Sequence, residues 1–78
     1  MIIRVYTKSN CPNCDSVKKL LRMKGLVYGE INLDREEERE GFYQMFPGVR
    51  QMPQVFIDGQ RVGGLAGLQK ALKDIENE

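Results

Sequence analysis

The segment Cys11-Pro12-Asn13-Cys14 stands between a short apolar run and a helical pattern, and this placement constrains the fold more than any other feature. The apolar run, residues 2–6, is typical of a buried strand. Two cysteines separated by two residues can close a disulfide at a helix N-terminus, where the helix dipole stabilises an attacking thiolate. The pattern predicts a thiol–disulfide redox site at a strand-to-helix junction, with Cys11 and Cys14 as the catalytic residues.

Metal-binding and purely structural roles fit the cysteine pair less well. Four-coordinate zinc needs two further soft or imidazole ligands, whereas the chain has two Cys and no His. A zinc site within one chain is therefore excluded, and no metal site is assigned. A disulfide across so short a loop would constrain little of the unfolded chain. An inert pair, and a metal or cluster site shared by two chains, stay as alternatives.

Composition limits the domain organisation and the partners. The chain has 78 residues, a formal net charge of +1 and 29% charged residues. This length predicts one domain over residues 1–78. The small net charge is atypical of nucleic-acid-binding proteins, and no apolar run approaches the ~20 residues that span a bilayer. We therefore expect no nucleic-acid partner and no membrane partner. Arg4 interrupts the first apolar residues, so no signal peptide is expected. The expected location is the cytoplasm, where Cys pairs are more often catalytic than structural.

The first helix is predicted around the cysteine pair. Asn10 is a good N-cap for a helix from about Pro12 to Lys24, because proline is favoured at the first helical position. Gly25 is expected to end this helix. Cys14 falls on the apolar face of the helix, which leaves Cys11 at its exposed tip.

The rest of the chain predicts a small mixed sheet. A helix over residues 35–45 is expected to begin at a capping box of Asp34 and Glu37 and to bury one apolar face, Phe42, Met45 and Phe46. The other elements are a strand over residues 26–33, parallel to the first, a hairpin of residues 54–57 and 60–62 around Asp58-Gly59, and a helix after Gly63-Gly64. The order β-α-β-α-β-β-α predicts an α/β fold with a four-stranded mixed sheet flanked by helices.

Three motifs in this order resemble the glutaredoxin family over essentially the whole chain: Cys-Pro-x-Cys after the first strand, Met52-Pro53 before the hairpin, and Gly63-Gly64 before the last helix. The resemblance implies a thioredoxin-like fold and a dithiol–disulfide oxidoreductase that reduces protein disulfides and glutathione mixed disulfides. It also implies that glutathione is the reductant, that no cofactor is tightly bound, and that disulfide proteins such as ribonucleotide reductase are electron acceptors.

The resemblance further implies where a thiol substrate binds. Met52-Pro53 would be a cis bond whose Met52 main chain pairs with the substrate, and the backbone of the last helix start would receive a carboxylate of glutathione. Free N–H groups at a helix N-terminus form an anion site on physical grounds as well. Lys8, three residues before Cys11, adds a cation. The expected binding residues are Lys8, Pro12, Asn13, Arg50, Met52, Pro53, Gly64, Leu65 and Ala66.

The sequence departs from the family pattern where glutathione would bind. Asn13 stands where many members have Tyr, Gln51-Met52 stands where they have Thr-Val, and Ala66-Gly67 stands where they have Ser, Thr or Asp followed by Asp. The missing side chains normally help to hold the glutamyl end of glutathione. We therefore expect weak binding through the backbone, and we expect Gly67→Asp to tighten it.

Two alternative functions stay open beside the glutathione-dependent one. A glutaredoxin-shaped thioredoxin would be reduced by thioredoxin reductase. A dimer that holds an iron–sulfur cluster through Cys11 and glutathione would act as a cluster carrier, although Pro12 replaces the small residue that cluster-binding relatives tend to have at this position.

Overall fold

The computed structural model describes residues 1–77, in which strands and helices follow one another in the predicted order. In chain order they are β1 (Ile3–Thr7), α1 (Pro12–Met23), β2 (Gly29–Asn32), α2 (Glu36–Met45), β3 (Gln54–Ile57), β4 (Gln60–Gly63) and α3 (Leu65–Glu76). The four strands form one sheet in the order β2-β1-β3-β4, with β1 and β2 parallel and the other neighbours antiparallel. The predicted α/β class with a four-stranded mixed sheet is confirmed.

The main core lies between one sheet face and the two helices α1 and α3. Because side chains alternate along a strand, the apolar residues of β1 and β3 that face this side are paired across the ladder, as Val5 is with Val55. They pack against the apolar stripes of the helices. The buried cluster consists of Ile3, Val5, Val17, Leu21, Val55, Ile57, Leu68 and Leu72. This packing holds α1 and α3 side by side on the same face of the sheet.

An aromatic cluster joins α2 to the opposite sheet face. The ring of Tyr6 lies 4.7 Å from that of Phe42 and 5.5 Å from that of Phe56, and Phe46 lies 5.2 Å from Phe56. Phe42 and Phe46 are one helical turn apart, so both reach the sheet. The prediction that Met45 belongs to this buried face is wrong, since Met45 is 69% exposed. It lies at the last residue of α2, to the side of the Phe42–Phe46 line.

The predicted helix end at Gly25 is confirmed. Gly25 has a φ of +70°, and its N–H donates to the carbonyl of Arg22 while that of Leu26 donates to Leu21. These two bonds form a Schellman motif, in which a left-handed glycine satisfies the last free carbonyls of the helix. The predicted hairpin turn is confirmed too, because Asp58 and Gly59 both have positive φ, 50° and 82°.

Both predicted side-chain N-caps are wrong. Asn10 takes a left-handed conformation with a φ of 55°, and the N-cap of α1 is Cys11 itself. The N-cap of α2 is Arg35, which makes no side-chain cap bond. Asp34 accepts hydrogen bonds from Ser9 instead, because the fold brings the loop after β1 beside the end of β2. Within residues 1–77, no helix is long and apolar enough to cross a bilayer.

Candidate active site

The two cysteines form a disulfide at the start of α1, with their Cα atoms 5.2 Å apart. Cys14 lies one turn inside the helix and is 1% exposed, as its place on the apolar face predicts. The sequence places Cys11 at an exposed tip, and this prediction is wrong, because Cys11 is only 7% exposed. Its side chain turns back over the helix start, and its Sγ lies 3.7 Å from the carbonyl oxygen of Met52.

The start of α1 supplies a hydrogen-bond donor to the sulfur of Cys11. The N–H of Cys14 donates to the Sγ of Cys11 at 3.1 Å, and Pro12 occupies the first helical turn, where its missing N–H has no cost. Once the disulfide is reduced, this N–H and the helix dipole stabilise a thiolate at Cys11. Asp15 carries the opposing charge, but its side chain is 81% exposed and lies 3.9 Å from the Lys18 ammonium. Solvent and Lys18 therefore weaken its effect on the thiolate.

The loop before β3 passes directly over Cys11. The Met52–Pro53 bond is cis, as predicted, and Pro53 is buried. The backbone of this loop also approaches the start of α3 closely, since a Cβ built on Gly64 would lie 3.4 Å from the Pro53 carbonyl oxygen. The cis-proline loop thus lies between the disulfide and the first turn of α3.

Two adjoining depressions make one groove that runs from the disulfide to α3. The first, about 290 Å³, is lined by Lys8, Asn10, Cys11, Pro12, Asn13 and Met52. The second, about 380 Å³, is lined by Asn13, Gln51, Met52, Pro53, Gln54, Gly64, Leu65, Ala66, Gly67 and Gln69. We call their union the groove. Cys11 borders it and Cys14 does not, which makes Cys11 the sulfur that an incoming molecule reaches.

The groove gathers all but one of the predicted binding residues. Arg50 is the exception, because its guanidinium lies over the ring of Tyr43, 4.9 Å from the ring centroid, and outside the lining. Sequence reasoning missed several polar lining residues, namely Asn10, Gln51, Gln54 and Gln69. Gln51 stands at a family motif position but was interpreted only as a departure from the pattern, and the other three had no predicted role in binding. A polar residue at the start of an otherwise apolar strand, as Gln54 is, was the one further signal in the sequence, and its burial is visible only in the structure.

The far end of the groove is the first turn of α3. Its N-cap Gly64 makes no side-chain cap bond, and the first turn contains no acidic residue. The first N–H groups of a helix have no partner within the helix and carry its positive dipole end. Leu65 and Ala66 therefore present backbone donors to the groove, with no acidic side chain beside them.

Gly67 lies in this turn for a steric reason. A Cβ built at Gly67 would lie 1.9 Å from the carbonyl oxygen of Val62 and 2.9 Å from its carbonyl carbon. Both are backbone atoms of β4, so no side-chain rotation relieves the clash. The expectation that Gly67→Asp restores a family contact is therefore wrong, because α3 packs too close to β4 for any side chain here.

Two carboxylates hold the loop that carries Lys8. The buried Thr7 hydroxyl donates to Glu30 at 2.7 Å, and this bond, with Lys18 and Arg22 nearby, outweighs desolvation and lowers the pKa of Glu30. The hydroxyl and N–H of Ser9 donate to Asp34 and lower its pKa. Both carboxylates are thus ionised at neutral pH and fix the two ends of the segment from residue 7 to residue 9.

Thr7→Val is expected to lower the free energy of unfolding by about 1 kcal/mol at pH 7. This is less than the ~1.5–3 kcal/mol of a bond to a charged group, because the Glu30 side chain is 35% exposed and solvent weakens the bond. The folded-state pKa of Glu30 is lowered, so its contribution exists above its ordinary pKa of 4.5 and disappears as the pH falls through the folded value. Urea unfolding at pH 7 and pH 3 measures this. A deficit of equal size at both pH values would contradict the role given to the ionised carboxylate.

A disulfide at a helix N-terminus, beside a cis-proline loop and open to a groove, defines a site for thiol–disulfide exchange. The glutaredoxin family model matches residues 3–62. Glutaredoxin 1 of Rickettsia felis is 41% identical over 78 residues, covering 97% of this chain and 72% of the relative.

Solved structures agree with the family match. Glutaredoxin 1 from Francisella tularensis, in complex with cacodylate, has a TM-score of 0.82 and 26% identity, and the match covers 99% of this chain and 98% of the other. A buckwheat glutaredoxin–glutathione complex has a TM-score of 0.76, 33% identity, and coverage of 92% and 68%. The glutaredoxin-like NrdH-redoxin from Escherichia coli, described by its thioredoxin-like activity profile, has a TM-score of 0.74, 26% identity, and coverage of 92% and 93%.

The chain therefore belongs to the glutaredoxin family. It has the thioredoxin-like fold of its structural neighbours, and it is a dithiol–disulfide oxidoreductase with the Cys11/Cys14 pair at its centre. The resemblance carried by the three sequence motifs is confirmed.

Proposed function

We propose that the protein is a glutathione-dependent reductase in which Cys11 attacks and Cys14 resolves. The observation that carries this proposal is the groove, which gives access to the sulfur of Cys11 alone and leads to the free N–H groups of α3. The Cys11 thiolate attacks one sulfur of a substrate disulfide, forms a mixed disulfide and releases the other sulfur as a thiolate. Cys14 then attacks the Cys11 sulfur, restores the Cys11–Cys14 disulfide and releases the second thiolate, so two electrons pass to the substrate.

Glutathione would then restore the dithiol. One glutathione thiolate attacks Cys11 and leaves a Cys11–glutathione mixed disulfide with free Cys14, and a second glutathione releases the first as glutathione disulfide. We place the mixed disulfide along the groove. The Met52 main chain pairs with the backbone of the bound thiol, and the N–H groups at Gly64, Leu65 and Ala66 receive one carboxylate. Pro12, Asn13 and Pro53 form the walls, and Lys8 meets negative charge near the sulfur.

Glutathione is expected to bind weakly. The groove offers backbone donors and one cation, whereas the ligand's ammonium group has no acidic partner in the first turn of α3. Support for glutathione as the ligand comes from the family match and from the buckwheat glutaredoxin, which was solved as a glutathione complex.

The contacts expected between glutathione and the groove, backbone N–H groups and Lys8, are largely electrostatic. Binding should therefore weaken as the salt concentration rises from 0.1 M to 1 M, because the Debye length falls from ~10 Å to ~3 Å. Lys8→Gln is expected to weaken glutathione binding and to flatten this salt dependence. Lys19→Gln is the matched control, because Lys19 is an exposed lysine of α1 outside the groove. In the Cys14→Ser protein, Cys11 attacks glutathione disulfide, forms the Cys11–glutathione mixed disulfide and releases one glutathione, and the equilibrium constant of this exchange at each salt concentration measures the effect. Equal losses in the two lysine variants would contradict the role of Lys8.

The electron donor is decided by one comparison. The oxidised protein is mixed either with glutathione, glutathione reductase and NADPH or with thioredoxin reductase and NADPH. Reduction of the Cys11–Cys14 disulfide is followed over time by alkylating the protein thiols and weighing the protein by mass spectrometry. We expect reduction in the first mixture. Reduction only in the second would contradict the glutathione-dependent function.

Thioredoxin reductase is a second candidate donor for a specific reason. The backbone of β4 leaves no space for a side chain at Gly67, so this chain cannot carry an acidic residue there to hold glutathione. The similar NrdH-redoxin is described by a thioredoxin-like activity profile. We propose protein disulfides, ribonucleotide reductase among them, as the acceptors for either donor, and the cytoplasm as the location, because its reducing pool keeps such a pair available as a dithiol.

A further inference from the structure

Gln54 is a buried polar side chain beside the cis-proline loop, and thiol–disulfide exchange as described above does not use it. It is 7% exposed and is, with Thr7, one of two buried polar side chains found in residues 1–77. Most buried polar side-chain atoms are hydrogen-bonded, because an unpaired one destabilises the fold. Gln54 follows Pro53 directly and begins β3, so its contacts bear on the loop that covers Cys11.

Both ends of the Gln54 amide have partners. Its Nε2 donates to the main-chain carbonyl of Gln51 at 2.9 Å, and its Oε1 accepts from the Arg61 guanidinium at 3.4 Å. The two partners determine the orientation of the amide, because a carbonyl only accepts and a guanidinium only donates. We call Gln54 with these two hydrogen bonds the Gln54 bridge.

The Gln54 bridge connects the cis-proline loop to β4. At one end it holds the carbonyl of Gln51, the residue before Met52. At the other end it reaches Arg61 on β4, the strand that leads into Gly63-Gly64 and the first turn of α3. Gln51 and Gln54 both line the groove.

We propose that Gln54, oriented by Arg61, is a positioning residue for thiol–disulfide exchange with peptide substrates. It holds the Gln51 carbonyl and thereby keeps the Met52 main chain at the distance from Cys11 that a substrate backbone requires. This inference rests on the proposed pairing of the Met52 main chain with the substrate. Gln54, which lies outside the redox motif, would therefore favour peptide disulfides over small disulfides that have no peptide backbone.

The test uses Gln54→Met, which keeps the volume and removes both hydrogen bonds. The pre-reduced protein reacts in a single turnover with a peptide disulfide or with bis(2-hydroxyethyl) disulfide, so the result is independent of the electron donor. We expect the rate constant for the peptide to fall about tenfold, the effect of one hydrogen bond of ~1.4 kcal/mol. The rate constants for the small disulfide and for alkylation of Cys11 by iodoacetamide should stay within about twofold, because the start of α1 is unchanged. A parallel fall in all three, or no fall for the peptide, would overturn the proposal.

Arg61 variants keep the proposal testable even if Gln54→Met folds poorly. Arg61 is exposed, so its replacement leaves the core intact. Arg61→Met should lower the peptide rate constant in the wild-type background and change nothing further in Gln54→Met, because Arg61 acts through Gln54. Arg61→Lys retains a donor and should restore most of the loss. If the effects of Gln54→Met and Arg61→Met were additive, Arg61 would act independently of Gln54, and the proposal that it orients Gln54 would be wrong.

A substrate peptide with N-methylated amides beside its cysteine separates this proposal from the pairing on which it rests. If wild-type protein reduces it as fast as the unmethylated peptide, the main-chain pairing at Met52 is wrong. If methylation slows the wild type but Gln54→Met reacts with the unmethylated peptide at the wild-type rate, the pairing stands and the role of Gln54 is wrong.

Discussion

Replacement of Cys11 by serine is expected to reduce every activity to the uncatalysed rate. Cys14→Ser, in contrast, is expected to keep the reduction of glutathione mixed disulfides and to lose most of the reduction of protein disulfides. Cys11 borders the groove and receives the N–H of Cys14, while Cys14 lies beneath it and outside the lining. Cys14→Ser retains the attacking thiol, so it should still reduce glutathione mixed disulfides, which need one thiol. Reduction of protein disulfides should fall roughly tenfold or more, because no second thiol can release the trapped intermediate.

The two reactions are measured in parallel, one with a glutathionylated peptide and the other with an oxidised protein. Mass spectrometry of the Cys14→Ser reaction should show a mixed disulfide at Cys11. Equal loss of both activities in Cys14→Ser, or retained activity in Cys11→Ser, would show that the roles of the two sulfurs are assigned wrongly. Alkylation of Cys11 should also indicate a pKa below the ~8.5 of free cysteine, since the helix start favours the thiolate.

Gly67→Ala is expected to lower the free energy of unfolding by ~1–3 kcal/mol or more, because overpacking usually costs this much. Alanine normally stabilises a helix by up to ~1 kcal/mol relative to glycine, so the expected sign is opposite to the usual one. The reason is the Val62 carbonyl oxygen, 1.9 Å from the new Cβ. Either α3 or β4 must move, and both border the core.

Gly41→Ala is the matched control. Gly41 lies within α2, and a Cβ there meets nothing within 4 Å, so alanine should raise the free energy of unfolding. Urea unfolding of both variants gives the comparison. Stabilisation of similar size at the two positions would show that α3 and β4 can separate, and an acidic side chain at position 67 would then again be able to meet glutathione.

Local patterns in the sequence were sufficient for the element order and for most turns. Gly25 and Asp58-Gly59 take positive φ where their types predict it, because backbone preferences act over a few residues. The helical periodicity of α1 likewise placed Cys14 on the buried face, because residues one turn apart share a face of a helix. The three family motifs, read with this order, were sufficient to predict the fold, the redox pair and the cis bond before Pro53.

Tertiary packing decided the features that join distant segments. Asp34 bonds to Ser9, 25 residues away, instead of capping its own helix. Arg50 lies over Tyr43 rather than in the groove, and Cys11 is covered by the loop at Met52, 41 residues on. Local sequence determines which conformations a segment prefers, but which side chains meet across the fold depends on how the helices pack on the sheet. The space at Gly67 and the hydrogen bonds of Gln54 are set by that packing, so only the tertiary structure could show them.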